Sequence, residues 1–139
     1  MIRLLYFSQS TDVISDEQVR NIMESSRRNN PAIGITGVLV HGGGLFMQVL
    51  EGPEQAALRM YVKILDDQRH KNSQIIYITP TDKRIFVGWS MGVIARNDAV
   101  EFEQIMELRS QRRKEVVQSK VFTDAMRGFL KILNDGQRY

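Results

Sequence analysis

The sequence predicts an α+β fold, an antiparallel sheet built in the order βαββαββ with two helices on one face and further helices toward the C-terminus. Three observations carry this expectation. An aliphatic and aromatic run opens the chain, a triple glycine separates two later apolar runs, and two stretches with apolar residues at helical spacing fall between the strands. At 139 residues and 42% hydrophobic composition, the chain suffices for one core with a few extra helices, not for two ordinary domains.

Residues 2–8, Ile-Arg-Leu-Leu-Tyr-Phe-Ser, read as a buried strand that ends at polar Gln9, Ser10, Thr11 and Asp12. Ser15 and Gln18 form a capping box, and Val19, Ile22, Met23 and Ser26 mark one face of the helix that follows. Arg27 and Arg28 suit its negative C-terminal end. Asn29, Asn30 and Pro31 are expected to end it, because proline blocks continuation and biases the preceding residue away from helical geometry. Residues 35–41 and 45–51 read as strands joined through Gly42, Gly43 and Gly44, whose backbone freedom suits a tight hairpin. Gly52, Pro53 and Glu54 start a second helix with proline in its first turn and Ala57, Leu58, Tyr61, Ile64 and Leu65 on its apolar face. Two more strands are expected at 74–79 and around 90–95. Asp98 and Glu101, with Phe102, Ile105 and Met106 in phase, predict another helix start. Phe122, Met126, Phe129, Leu130 and Leu133 form a last stripe that must be buried against the other sheet face or a partner chain.

Composition narrows the chemistry. The absence of cysteine excludes disulfides, thiolate metal sites and cysteine nucleophiles. His41 and His70 stand far apart with no zinc spacing, so no dedicated metal site is expected. No apolar run approaches the ~20 residues of a membrane span, and Met1 leads into Ile2, Arg3, Leu4 and Leu5 without a charged leader and cleavage site; a cytoplasmic location is expected. The net charge of +3 is dispersed apart from Arg27-Arg28 and the run holding Arg109, Arg112, Arg113 and Lys114. A nucleic-acid partner is therefore allowed but not demanded, since such runs are usually solvated helix faces.

Several polar residues need partners. Gln48 lies between Phe46 and Leu50 in strand phase, with Leu45, Met47 and Val49 making the other face apolar as well. An unpaired amide there would cost roughly 1–3 kcal/mol, so it bonds to backbone, to another side chain or to a ligand. Tyr6 is in phase with Ile2 and Leu4, placing a second polar tip in an apolar sheet. Asn29 and Asn30 at a helix end read first as turn formers and only second as ligand binders, and Trp89, Ser90 and Met91 read as the entrance to a strand.

Taken together, these stretches resemble the BLUF family of flavin-binding blue-light sensors over residues 2 to about 96. The resemblance rests on Arg3-Leu4-Leu5-Tyr6 with Ser8; Asn29-Asn30-Pro31 leading to Gly34-Ile35-Thr36-Gly37; residues 46–52, Phe-Met-Gln-Val-Leu-Glu-Gly; Trp89-Ser90-Met91; and, more weakly, Asp67-Gln68-Arg69-His70. It implies a ferredoxin-like fold with FAD, not covalently bound, between the two helices. Residues 1–96 would be the flavin-binding domain, and 97–139 a helical extension. The resemblance makes Tyr6 and Gln48 the light-switch pair, with Ser8, Trp89 and Met91 coupled to it. Asn29, Asn30 and Ile22 would contact the cofactor, and Arg69 and His70 would lie near its ribityl or phosphate end; Lys71 stands where many relatives repeat the histidine. Tyr6 would give up an electron and a proton and recover both while Gln48 changes its hydrogen-bonding form. Without cysteine, no flavin-cysteine adduct can form.

No turnover of substrate is implied. The signal would pass to a separate effector protein or change the state of a homo-oligomer. Two other classes compete. A small ferredoxin-like enzyme of acylphosphatase type would need an arginine and an asparagine aimed at a phosphate, and a nucleic-acid-binding module would use the basic run near 109–114.

Overall fold

The computed structural model describes residues 1–11, 15–95, 107–108, 110–111 and 119–136. The helix start expected from Asp98, Glu101, Phe102, Ile105 and Met106 lies outside the described residues, as do Arg109, Arg112, Arg113 and Lys114. The elements are β1 (Ile2–Ser10), α1 (Asp16–Ile33), β2 (Thr36–Gly42), β3 (Leu45–Gly52), α2 (Glu54–Leu65), β4 (His70–Pro80), β5 (Gly92–Ala95) and α3 (Ser119–Gly136).

The five strands lie in the order β4-β1-β3-β2-β5. The sheet is mixed, not wholly antiparallel: β1–β3, β1–β4 and β2–β3 run antiparallel, whereas β5 lies parallel to β2 with Val38 opposite Gly92. Topology explains the departure. Residues 81–91 carry the chain from β4 at one edge to β5 at the other along a single end of the sheet, so β5 runs opposite to β4 and hence alongside β2. Pairing with β1 as far as Ser10 opposite His70 also extends β4 well beyond the expected 74–79. β5 begins later than expected, leaving Trp89, Ser90 and Met91 ahead of it.

Helix α1 starts as its capping box requires: the Gln18 backbone N–H donates to Ser15 Oγ at 3.1 Å, and the Ser15 N–H donates to Gln18 Oε1 at 3.0 Å. It does not stop at Pro31. The helix runs through Asn29, Asn30 and Pro31 to Ile33, because the proline removes one donor only a turn from the natural end. Gly34, at φ 71°, then closes it, with the Ile35 N–H donating to the Asn30 carbonyl at 3.1 Å and the Gly34 N–H to the Pro31 carbonyl at 3.3 Å. Arg27 and Arg28 consequently lie before the last turn. The extra turn keeps Asn30 on the helix. Pro53 precedes α2 as its N-cap instead of sitting in the first turn.

Alternation along the strands divides the core in two. Ile2, Leu4, Tyr6, Leu39, Phe46 and Leu50 face α1 and α2, meeting Val19, Ala57 and Tyr61. Leu5, Phe7, Val38, Val40, Met47 and Val49 face the opposite way and meet Phe122, Met126, Phe129 and Leu133 of α3. The stripe of α3 is thus buried against the sheet, with Leu130 at its partly covered margin. No helix among the described residues is long and apolar enough to cross a membrane.

Candidate functional site

The α1/α2 side of the sheet holds a cleft of about 290 Å³, near the lower end of the roughly 300–1,000 Å³ usual for small-molecule sites. Its floor is sheet: Tyr6 from β1, Leu39 from β2, and Phe46, Gln48 and Leu50 from β3. Its walls are Asn21, Ile22, Ser25, Ser26 and Asn30 of α1, Met60 and Ile64 of α2, and Met91; Asp67, Arg69 and His70 complete it.

Strand register creates the central pair. Tyr6 stands directly opposite Gln48 across the β1–β3 ladder, and both are buried. The Tyr6 hydroxyl donates to Gln48 Oε1, and Gln48 Nε2 donates to the Met91 sulfur at 3.4 Å. Burial pushes the Tyr6 phenol far above its ordinary range, with Tyr61 and Asp67 adding to the effect and Arg69 opposing it. The phenol therefore stays protonated. Its ring lies 5.1 Å from that of Tyr61, whose own hydroxyl shares a 2.8 Å hydrogen bond with Ser73.

Asn30 is 2% exposed, and its Nδ2 donates to the Ser90 carbonyl at 2.7 Å. That bond fixes the amide's orientation, because a carbonyl requires the NH₂ end. The Asn30 side-chain oxygen then finds no donor among the described residues, although it belongs to a buried group on the cavity wall. A buried acceptor left in this state is costly unless a ligand supplies the missing donor.

At the other end, Asp67 and Arg69 form a close ion pair, with Arg69 Nε at 2.9 and 3.0 Å from the two carboxylate oxygens. Bonding to Arg69 holds the Asp67 carboxyl below the usual carboxylate range against the opposing effect of burial. His70 bridges strand and helix. Its Nε2 meets the Ile64 carbonyl and must donate there, so in the neutral ring Nδ1 accepts from Ser8 Oγ at 2.8 Å.

Of the residues singled out from the sequence, Tyr6, Ile22, Asn30, Gln48, Arg69, His70 and Met91 line the cavity. Three do not. Ser8 is buried and acts on His70, and Asn29 is exposed and donates to Ser25 one turn back in α1 at 3.3 Å. Trp89 is partly buried against the opposite core, the one shared with α3. Residues that reading the sequence did not single out for the site include Asn21 and Ser25 on the α1 wall. Their signal was helical spacing with Ile22 and Asn30, which makes one continuous face of α1 once the helix is known to pass Pro31. Among the described residues, no cluster of three His, Cys, Asp or Glu side chains could hold a metal ion.

The family described as sensors of blue-light using FAD, BLUF, matches residues 1–92. Photoactivated adenylate cyclase subunit beta of Euglena gracilis is 32% identical over 112 residues, which is 80% of this chain and 13% of that protein. Subunit alpha from the same organism is 36% identical over 86 residues, 62% of this chain and 8% of its own length. The chain thus spans only a small part of these curated relatives. Among solved structures, the photo-activated state of BlsA superposes with a TM-score of 0.76 at 28% identity, covering 93% of this chain and 94% of BlsA. The dark state of BlrB, a BLUF protein, gives 0.73 at 26% identity, covering 94% and 95%. A bacterial light-regulated adenylyl cyclase gives 0.68 at 31% identity over 92% of this chain and 40% of the cyclase. The match covers every strand residue up to Gly92 and all the residues that line the cavity, and on that ground the chain belongs to the BLUF family of blue-light sensors that use FAD.

Proposed function

We propose that FAD is held without a covalent bond in the α1/α2 cavity, and that Tyr6 and Gln48 form the switch by which this chain senses blue light. The observation that carries the reading is the hydrogen-bonded series from Tyr6 through Gln48 to Met91, beside an Asn30 oxygen that still needs a donor. A flavin suits that oxygen, because the polar edge of its ring presents an N–H between two carbonyls. Asn30 and Gln48 would hold this edge, Ile22 and Ile64 would pack on the ring, and Arg69 with His70 would serve the ribityl or phosphate end. Asn29 contributes nothing from its exposed position.

When bound, the flavin supplies blue-light absorption and, once excited, an acceptor for one electron and one proton. Tyr6 provides both. Its phenol is buried and protonated, and a phenol that gives up an electron becomes strongly acidic, so the proton would leave with it. Gln48 responds because its amide presents an acceptor to Tyr6 and a donor to Met91; rotation or tautomerisation changes both at once. Once both had returned, Tyr6 and Gln48 would be left in a rearranged hydrogen-bond pattern, with no net reaction. The chain itself turns over no substrate.

Residues 1–96 act as the sensing domain and 97–139 as the extension through which the signal leaves. The recipient is a separate effector protein in the cytoplasm or a second copy of the chain. The curated relatives support an effector, since there the matched segment is part of a photoactivated adenylate cyclase.

The test is an absorption spectrum of the purified protein before, during and after blue light. A yellow protein with a small, reversible red shift, whose flavin is released intact on denaturation, is the expected result. A colourless protein, or a cofactor that stays attached to the unfolded chain, overturns the reading.

A further inference from the structure

Residues 81–91 cross the end of the sheet where β1 and β2 begin and β3 ends, and one carboxylate holds them there. Glu51 is completely buried. Its Oε1 accepts from the Phe86 backbone N–H at 2.6 Å and from Thr36 Oγ1 at 3.0 Å; its Oε2 accepts from the Ile85 N–H at 3.1 Å and from Arg3 Nε at 3.0 Å. Two of these donors belong to the crossing segment. Bonds to an ionised acceptor are stronger and shorter than neutral ones, so this is a firm and directional anchor. Arg3 extends it by donating from Nη2 to the Lys83 carbonyl at 2.9 Å.

The anchor reaches Trp89 through a tight turn. The Trp89 N–H donates to the Phe86 carbonyl at 3.1 Å, with Gly88 at φ 80°, as a type II turn requires at its third position. Beyond the turn, the Trp89 carbonyl accepts from the Gly37 N–H at 3.0 Å, the Ser90 carbonyl from Asn30 and the Met91 sulfur from Gln48. One end of the segment is therefore held by Glu51 and the other by the two cavity amides. In a regular strand, residues two apart share a face. Here Trp89 packs on the α3 side while Met91 lines the cavity.

We propose that Glu51 is a positioning residue whose carboxylate clamps the turn at residues 86–89 and so sets Met91, not Trp89, against Gln48. The consequence for signalling rests on the sensing role proposed above, but the clamp itself involves no cofactor. A light-driven change at Gln48 would then release only the Ser90–Met91 end while the Glu51 end stays fixed.

Trp89 is the sole tryptophan, so its fluorescence reports on the segment directly. Glu51→Gln keeps the side-chain volume but turns an NH₂ group toward donors that need an acceptor. In the full-length protein, in the dark, acrylamide quenching of Trp89 should rise about twofold or more, and tryptic cleavage after Lys83 or Arg84 should quicken about tenfold, as expected of local opening. Val19→Ala, a core change on α1 away from the clamp, should leave both near wild type. A methyl group at Gly88 would meet no heavy atom within 4 Å beyond its chain neighbours, so Gly88→Ala loosens the same turn through its positive φ alone and should reproduce the rise in quenching. Unchanged quenching and cleavage in a folded Glu51→Gln protein overturn the proposal; so does an equal change in Val19→Ala. If Glu51→Gln does not fold, unchanged quenching in Gly88→Ala overturns it. A chain that bound no flavin would refute the sensing role and leave this test readable.

Discussion

Tyr6 and Gln48 are direct partners across the β1–β3 ladder, and the phenol of the first donates to the amide oxygen of the second. Antiparallel pairing brings together two residues far apart in the chain and points both toward α1 and α2. Each is buried, so the phenol hydroxyl and the amide oxygen depend on each other for this hydrogen bond. That mutual dependence makes the pair sensitive to any change in either member.

Tyr6→Phe removes the donor and leaves Gln48 Oε1 buried without one, at a cost of about 1–3 kcal/mol in stability. Flavin should still bind while the light-induced red shift disappears. Gln48→Leu should abolish the same shift by removing both amide functions with similar bulk. Dark-minus-light difference spectra of the two flavin-loaded variants check this, and a normal reversible shift in both would refute the switch.

Asn30→Ala and Asn29→Ala should separate cleanly, although the residues are neighbours in sequence. Asn30 is buried on the cavity wall and holds the Ser90 carbonyl, whereas Asn29 is exposed and its side chain bonds to Ser25. Loss of one or two hydrogen bonds worth about 0.5–1.5 kcal/mol each should weaken flavin binding by Asn30→Ala several-fold to tenfold or more. Asn29→Ala should bind as wild type. Titration of flavin into stripped protein measures both.

Phe129→Ala should cost about 3–5 kcal/mol of stability. Phe129 is fully buried where α3 packs on the sheet beside Met126 and Leu133, so truncation leaves a cavity between the two layers. Urea unfolding in the dark gives the value. A loss below about 0.5 kcal/mol, the range of surface substitutions, would show that α3 does not hold this position in solution.

The Asp67–Arg69 pair predicts a response to acid. Arg69 lowers the Asp67 carboxyl below its ordinary 3.8, so the ionised form is favoured in the folded protein. Its contribution is complete above that ordinary value and is lost as pH falls below it, through the folded value. The stability difference between wild type and Asp67→Asn should therefore be constant from neutral pH down to about pH 5 and shrink below the ordinary carboxylate value. Thermal unfolding of both proteins across that range checks the sign.

Much of the architecture could be read locally. The capping box at Ser15 and Gln18, the glycine hairpin and the alternation of Ile2, Leu4 and Tyr6 are signals carried by a few adjacent residues, and each corresponds to an observed element. Pro31 misled for an instructive reason. Proline costs a helix one donor and crowds the carbonyl four residues back, but Pro31 stands so near the end that the closing bonds at Gly34 and Ile35 are formed beyond it regardless.

The sequence by itself determined the order of elements, the apolar faces of the strands and helices, and the presence of a buried phenol and amide that had to find partners. Those properties follow from side-chain periodicity and local backbone chemistry. Tertiary structure alone decided that β5 lies parallel to β2, that Trp89 turns to the α3 side while Met91 enters the cavity, and that Glu51 becomes the anchor of residues 85 and 86. Each of these depends on which distant groups meet at one end of the sheet. A buried carboxylate must collect its donors from wherever the fold brings them, and no local pattern names them in advance.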